Sequence, residues 1–181
     1  MFGWGAIFAV IIALVLNTLI PGFSPRTIGS GMFFAAVIVA PLVEELAKPL
    51  GLKLAEYDIA RIRDGVILGA TAGLGFAATE NLLYELNALD TGGWETFWAT
   101  AILRSVAACA LHASATAITG RGYALHSAEN EHFLIIIPFY IGAVLLHALY
   151  NYLAISSNVL FFIAAMILAV VAMVLTRRFL D

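Results

Sequence analysis

The chain is poor in charge. Only 12% of its 181 residues are Asp, Glu, Lys or Arg, while 62% are hydrophobic. Soluble domains carry about a quarter charged residues, so there is too little polar surface here to cover a water-soluble globule. A disordered chain is excluded on the same ground. Basic residues are scarcer than acidic ones, and the net charge of −3 leaves no positive face for a phosphate backbone, which excludes nucleic acid as a partner. Cysteine is nearly absent. Cys109 alone permits neither a disulfide framework nor a cysteine-built zinc site. Strict alternation over strand lengths is missing as well, so no β-barrel is expected.

What the chain does have is long apolar runs. A helix that crosses the hydrocarbon of a bilayer needs about 20 mostly apolar residues. Six segments qualify: 4–20, stopped by Pro21-Gly22; 31–54, containing Pro41 and Pro49; 65–86; 95–118, ended by Gly120 and Gly122; 133–154; and 159–176. The expected fold class is all-α: a polytopic transmembrane helical bundle of about six spans, with a polar cavity inside. One membrane-embedded domain covers 1–181, with its core motifs in 41–151. The first segment carries no Lys or Arg and no small-x-small site before Pro21, so it reads as a retained helix rather than a signal peptide. Lys53, Arg61, Arg63, Arg121, Arg177 and Arg178 fall on one side and Arg26 on the other, which places both termini in the cytoplasm.

A charged side chain at mid-bilayer costs at least about 2.5–3.5 kcal/mol on insertion scales. Polar residues inside the six segments therefore need a partner, a wet cavity or a task. In the second segment Glu44 and Lys48 stand four apart on one helix face, while Glu45 points about 100° away. One carboxylate is expected to be neutralised locally while its neighbour faces elsewhere. The third segment carries Glu80, Asn81 and Glu85. Glu80 lies on the face of Phe76, behind Gly73-Leu74-Gly75, where glycines admit close approach of another backbone. An ion pair with Arg104 is the bland reading of Glu80. His112 with Thr116, and His147 with Asn151, are further pairs on common faces. His126 and His132 sit in a charged loop and read as surface residues. Phe33, Phe34, Phe161 and Phe162 suit lipid contact or packing, and Trp94, Trp98 and Tyr57 suit the interfacial belts.

Glutamates and neutral imidazoles permit two schemes. Two His and one Glu can hold Zn²⁺ with an open position for water. Without metal, a carboxylate made more basic by burial takes a proton from water, while His and Asn donate to the developing oxyanion. Both hydrolyse a carbonyl compound without serine or cysteine.

Glu44-Glu45-x-x-Lys48, then Phe76-x-x-x-Glu80-Asn81, then Arg104 and His112-x-x-x-Thr116, then His147-x-x-x-Asn151 follow one another on four apolar helices. Their order resembles the PrsW family of membrane-embedded proteases, which is similar to the type II CAAX prenyl endopeptidases and to the scaffold subunit of gamma-secretase. The resemblance spans roughly residues 41–151. It implies an endopeptidase that cuts a membrane-anchored protein, such as an anti-sigma factor, near the membrane surface of a prokaryotic-type cell. Glu44 and Glu45 would supply the base and a supporting carboxylate, Glu80, His112 and His147 would complete the site, and Asn151 would donate to the oxyanion. Lys48, Phe76 and Arg104 would support it. If zinc is used, the implied ligands are Glu80, His112 and His147; otherwise no cofactor is needed. A non-catalytic scaffold and a small transporter remain the alternatives. Straight helices drawn from these boundaries leave Glu44 and His112 on the order of 10 Å from the level of Glu80 and His147, so the site requires kinks or shifted ends.

Overall fold

The computed structural model describes residues 1–19, 30–156 and 158–180, and among these there is no strand. The stop at Pro21-Gly22 and the isolated Arg26 lie outside the described residues. Among the described residues three helical stretches, Ile62–Glu129, Phe133–Ile155 and Val159–Leu180, are long and apolar enough to cross a membrane, and with the fold-back at Gly93 and the shorter helices before residue 48 they make six spans. The first is Trp4–Leu19. The second covers 30–47, the third 62–92 and the fourth 94–129. The fifth is Ile136–Ile155 and the sixth Val159–Arg177. Small residues fill the contacts between them. Ala9, Ala13 and Ala47 pack with Val39, Val43 and Phe76 in one cluster, and Ala107, Ala110, Ala165 and Ala169 pack with Leu111 and Tyr150 in another. Large apolar side chains, Phe33, Phe34 and Phe161 among them, face outward as lipid requires.

Several boundaries differ from those expected. The second span closes at Ala47, because Pro49 cannot donate its backbone N–H, and a 3₁₀ helix, Pro49–Asp58, follows. The third and fourth spans overrun their apolar runs. They form one helical stretch, Ile62–Glu129, folded back at Gly93. Gly93 has φ 72°, a left-handed conformation that glycine adopts without strain, so the connection shrinks to one residue. Gly120 and Gly122 do not end the fourth span. That role falls to Asn130, a left-handed cap at φ 56°.

The glycines instead set the distance between the third and fourth spans. A Cβ at Gly65 would strike the Gly120 carbonyl, one at Gly69 the Thr116 carbonyl, and one at Gly73 the His112 carbonyl. This stripe at every fourth residue seats the backbone of His112 directly against the third span. Gly75, on the other face, meets the Phe2 carbonyl, and Thr79 Oγ1 donates to the Ala6 carbonyl at 2.7 Å.

The second span contains a wide π-turn at Ala35–Val39, in which the Ala40 N–H reaches back to the Ala35 carbonyl. In that register residue 41 should serve the Ala36 carbonyl, but Pro41 has no N–H. Asn151 Nδ2 of the fifth span donates to that carbonyl instead, at 2.8 Å.

Candidate active site

A cavity of about 770 Å³ occupies the half of the bundle nearest the turn at Gly93. On each of four spans the lining residue deepest in the bundle is a titratable one: Glu44, Glu80, His112 and His147. These four groups form the cavity floor. The expected mismatch in height is therefore absent. The third and fourth helices extend well past their hydrophobic runs, which moves Glu80 and His112 to the middle of their helices and level with the other two.

Beneath the floor lies Glu45, fully buried. Its Oε1 accepts from Lys48 Nζ at 2.7 Å and from His147 Nδ1 at 2.8 Å, and its Oε2 accepts from Thr116 Oγ1 at 3.5 Å. Lys48 is fully buried too. It reaches His112 Nδ1 at 2.7 Å and lies 4.4 Å from the centre of the Phe76 ring. Its distance to Glu44 Oε2 is longer, 3.4 Å. The expected Glu44–Lys48 ion pair is thus present, but Glu45 holds the ammonium more closely and takes His147 as well, so Glu44 is left with an ion pair and no hydrogen bond on its Oε2. Glu44 Oε2 is buried without a hydrogen-bond partner, 3.9 Å from His147 Nε2.

An ammonium can only donate, so His112 Nδ1 accepts from Lys48, and its Nε2–H donates to Glu80 Oε2 at 2.9 Å. The same oxygen accepts from Arg104 Nη2 at 2.6 Å. Glu80 therefore makes both the Arg104 pair and a contact within the cluster. Arg104 is steered by Asn81 Oδ1, 2.9 Å from its Nε, and by the Tyr84 ring, 3.8 Å below its guanidinium carbon. The imidazoles of His112 and His147 cross edge to face, 5.0 Å between centres. Asn151 lines the cavity wall, one amide hydrogen committed to Ala36. His126 and His132 stay at the turn between the fourth and fifth spans, where His126 meets the Glu131 carbonyl and His132 caps Leu134.

One carboxamide at the cavity lies outside all the motifs. Asn17 of the first span is 7% exposed and lines the cavity, and its Oδ1 is buried without a partner. Its signal in the sequence is a lone carboxamide in an otherwise apolar run, where the burial cost applies as it does to the motif residues.

Glu44, His112 and His147 each offer one donor atom within 4.8 Å of the others. Two imidazoles and a carboxylate are the donor set of hydrolytic zinc sites. Glu44 Oε2 is an orphaned acceptor. His147 has its Nδ1 proton fixed on Glu45 and its Nε2 lone pair bare, the arrangement that orients metal-binding histidines. His112 in this tautomer offers its Nδ1 lone pair once that nitrogen releases Lys48. The set fits a divalent ion such as zinc, with Glu44 as the carboxylate grouped with both imidazoles, while Glu80 is already held by His112 and Arg104.

No curated protein and no solved structure matches the chain. The family model described as PrsW family intramembrane metalloprotease matches residues 1–176. With six apolar spans gathered round an acid and imidazole floor, and that match running nearly end to end, the chain belongs to the PrsW family of intramembrane metalloproteases.

Proposed function

We propose that the protein is an endopeptidase that cuts a membrane-anchored protein, such as an anti-sigma factor, at a peptide bond brought to the cavity floor. The observation that carries this reading is Glu44 Oε2, a buried acceptor without a partner beside two imidazoles at the closed end of the cavity. Such an oxygen calls for a water or a substrate group.

A water between Glu44 Oε2 and His147 Nε2 gives one hydrogen to each acceptor, which turns an oxygen lone pair toward the cavity. Glu44 then takes the proton as the water attacks the scissile carbonyl, and passes it to the leaving amine. Glu45 moves no proton. Bound to Lys48 and His147, it keeps the His147 Nε2 lone pair forward. The second amide hydrogen of Asn151 and the Arg104 guanidinium are the donors available to the oxyanion along the wall. Glu44, His112 and His147 would hold a zinc ion, which would supply a Lewis acid and a water of lowered pKa. Glu80 Oε1, which carries neither the Arg104 nor the His112 contact, would be the carboxylate oxygen left free to act as a base beside it.

The cavity lies in the half opposite both chain ends. With the Lys- and Arg-rich side in the cytoplasm, the cut falls toward the outer face, as for a first cleavage of a membrane-anchored regulator. The test is cleavage of an anchored reporter in liposomes. Glu44→Gln is expected to lose about 10²–10⁴-fold in rate with its expression and unfolding temperature little changed, and His147→Ala to lose as much while also lowering the unfolding temperature through its lost contact with Glu45. Retained cleavage in either variant rejects the role given to that residue. Destabilised variants of a protein that never cleaves favour the scaffold reading.

A further inference from the structure

We propose that Asn17 forms a backbone-binding subsite, its side-chain oxygen accepting an N–H from an extended stretch of substrate. This rests on the protease reading above. The first span is one of two that contribute nothing titratable to the cavity floor, yet it turns a carboxamide into the cavity. Asn17 Oδ1 is buried and unpartnered. Leaving such an acceptor unmade carries its full desolvation penalty, and a leucine would fill the same place in a membrane helix without it. The other wall carboxamide, Asn151, has a structural explanation in the missing Pro41 N–H; Asn17 has none.

Ala13, one turn before Asn17, packs with Val39 and Val43 in one cluster, which sets the level of the first span against the second. Asn17 therefore stands one turn farther from the floor than Ala13, and Glu44 lies next to Val43 on the inward side. The separation along the cavity axis is on the order of 10 Å. A peptide must be unwound there for water to reach its carbonyl, and each backbone group it frees in a water-poor setting costs several kcal/mol if left unpaired. Asn17 Oδ1 supplies one partner for an N–H. At about 3.3 Å per extended residue, that N–H lies about three residues from the scissile bond.

The experiment uses the full chain carrying Glu44→Gln, in nanodiscs, and a fluorescent single-span polyleucine peptide ending in an Ala-Gly-Ser-Ala stretch. A series of the same peptide replaces each N–H of that stretch with an ester oxygen. One ester position is expected to weaken binding by about 3–10-fold. Asn17→Leu in the same background weakens the all-amide peptide by a similar factor and becomes indifferent to that ester, the mark of a shared contact. If Asn17→Leu lowers the unfolding temperature, Asn17→Ala takes its place in the cycle. No loss on substitution, or a uniform loss with no coupled ester position, overturns the subsite and leaves the protease reading standing. Failure of the peptide to bind also overturns the subsite, and whether the unsubstituted protein cleaves that peptide decides whether the protease reading falls with it.

Discussion

Glu45 and His147 meet across the second and fifth spans at 2.8 Å, on the same carboxylate oxygen that holds Lys48 at 2.7 Å. Glu44, the adjacent residue, has an oxygen with no hydrogen bond at all. Two neighbouring glutamates thus differ in kind. One ties the bundle together beneath the floor, and the other waits at its surface.

Substitution should separate them. Glu45→Gln leaves the Lys48 ammonium buried with its main counter-charge removed, and breaking a buried pair in this way costs about 3–5 kcal/mol. Glu44→Gln removes no hydrogen bond from Oε2 and only the longer of the two Lys48 ion pairs, and is expected to cost clearly less than Glu45→Gln. Thermal unfolding in detergent compares the two directly. A Glu45→Gln protein as stable as the parent would contradict the anchoring role.

Asn151 and Pro41 should be coupled. Asn151→Leu deprives the Ala36 carbonyl of its donor, with a loss of about 1 kcal/mol. Pro41→Ala restores a backbone N–H at the position that lacks one. If the side chain substitutes for that N–H, Asn151→Leu costs less in the Pro41→Ala background. Equal costs in the two backgrounds would show that the contact is incidental.

Gly73→Ala tests the seating of His112. The new Cβ meets the His112 carbonyl on the fourth span, and relief of such overpacking costs about 1–3 kcal/mol. Because the displaced residue is part of the floor, cleavage should fall further than stability alone accounts for. Gly3→Ala, which meets nothing within 4 Å, is the control.

Metal content is a direct measurement. Elemental analysis of the purified protein, run beside a cleavage assay with chelator, separates the two schemes. About one zinc per chain, lost in His147→Ala, with cleavage stopped by chelator and restored by zinc, would make Glu44 a ligand. Full activity in metal-free protein is the outcome expected if Glu44 takes the proton itself.

Much of the site is legible in the residues. Each of Glu44, Glu45, Lys48, Glu80, Arg104, His112 and His147 lies in an apolar run where a polar side chain is costly, and the structure gathers all seven into one connected set. The pairing was legible only in part. The four-residue spacing favours Glu44 with Lys48, and that ion pair forms, but a side chain three residues away shares that face too, and His147 on another span draws Glu45 into the closer contact. The helix ends were not legible. Asn87 and Asp90 read as loop by hydropathy, yet they continue the third helix, since polar residues cost little once a helix has left the hydrocarbon.

By itself the sequence determined that the protein lives in lipid, that it crosses about six times, and which few polar side chains must find partners there. Those outcomes depend on transfer energies that add up locally along the chain. The level at which the four floor groups meet, and which of the two glutamates keeps an oxygen without a hydrogen bond, were decided only by the tertiary structure. Both depend on how far one helix slides past another, at about 1.5 Å per residue, and that register is set by the Gly65, Gly69 and Gly73 stripe against the fourth span and by the single-residue turn at Gly93.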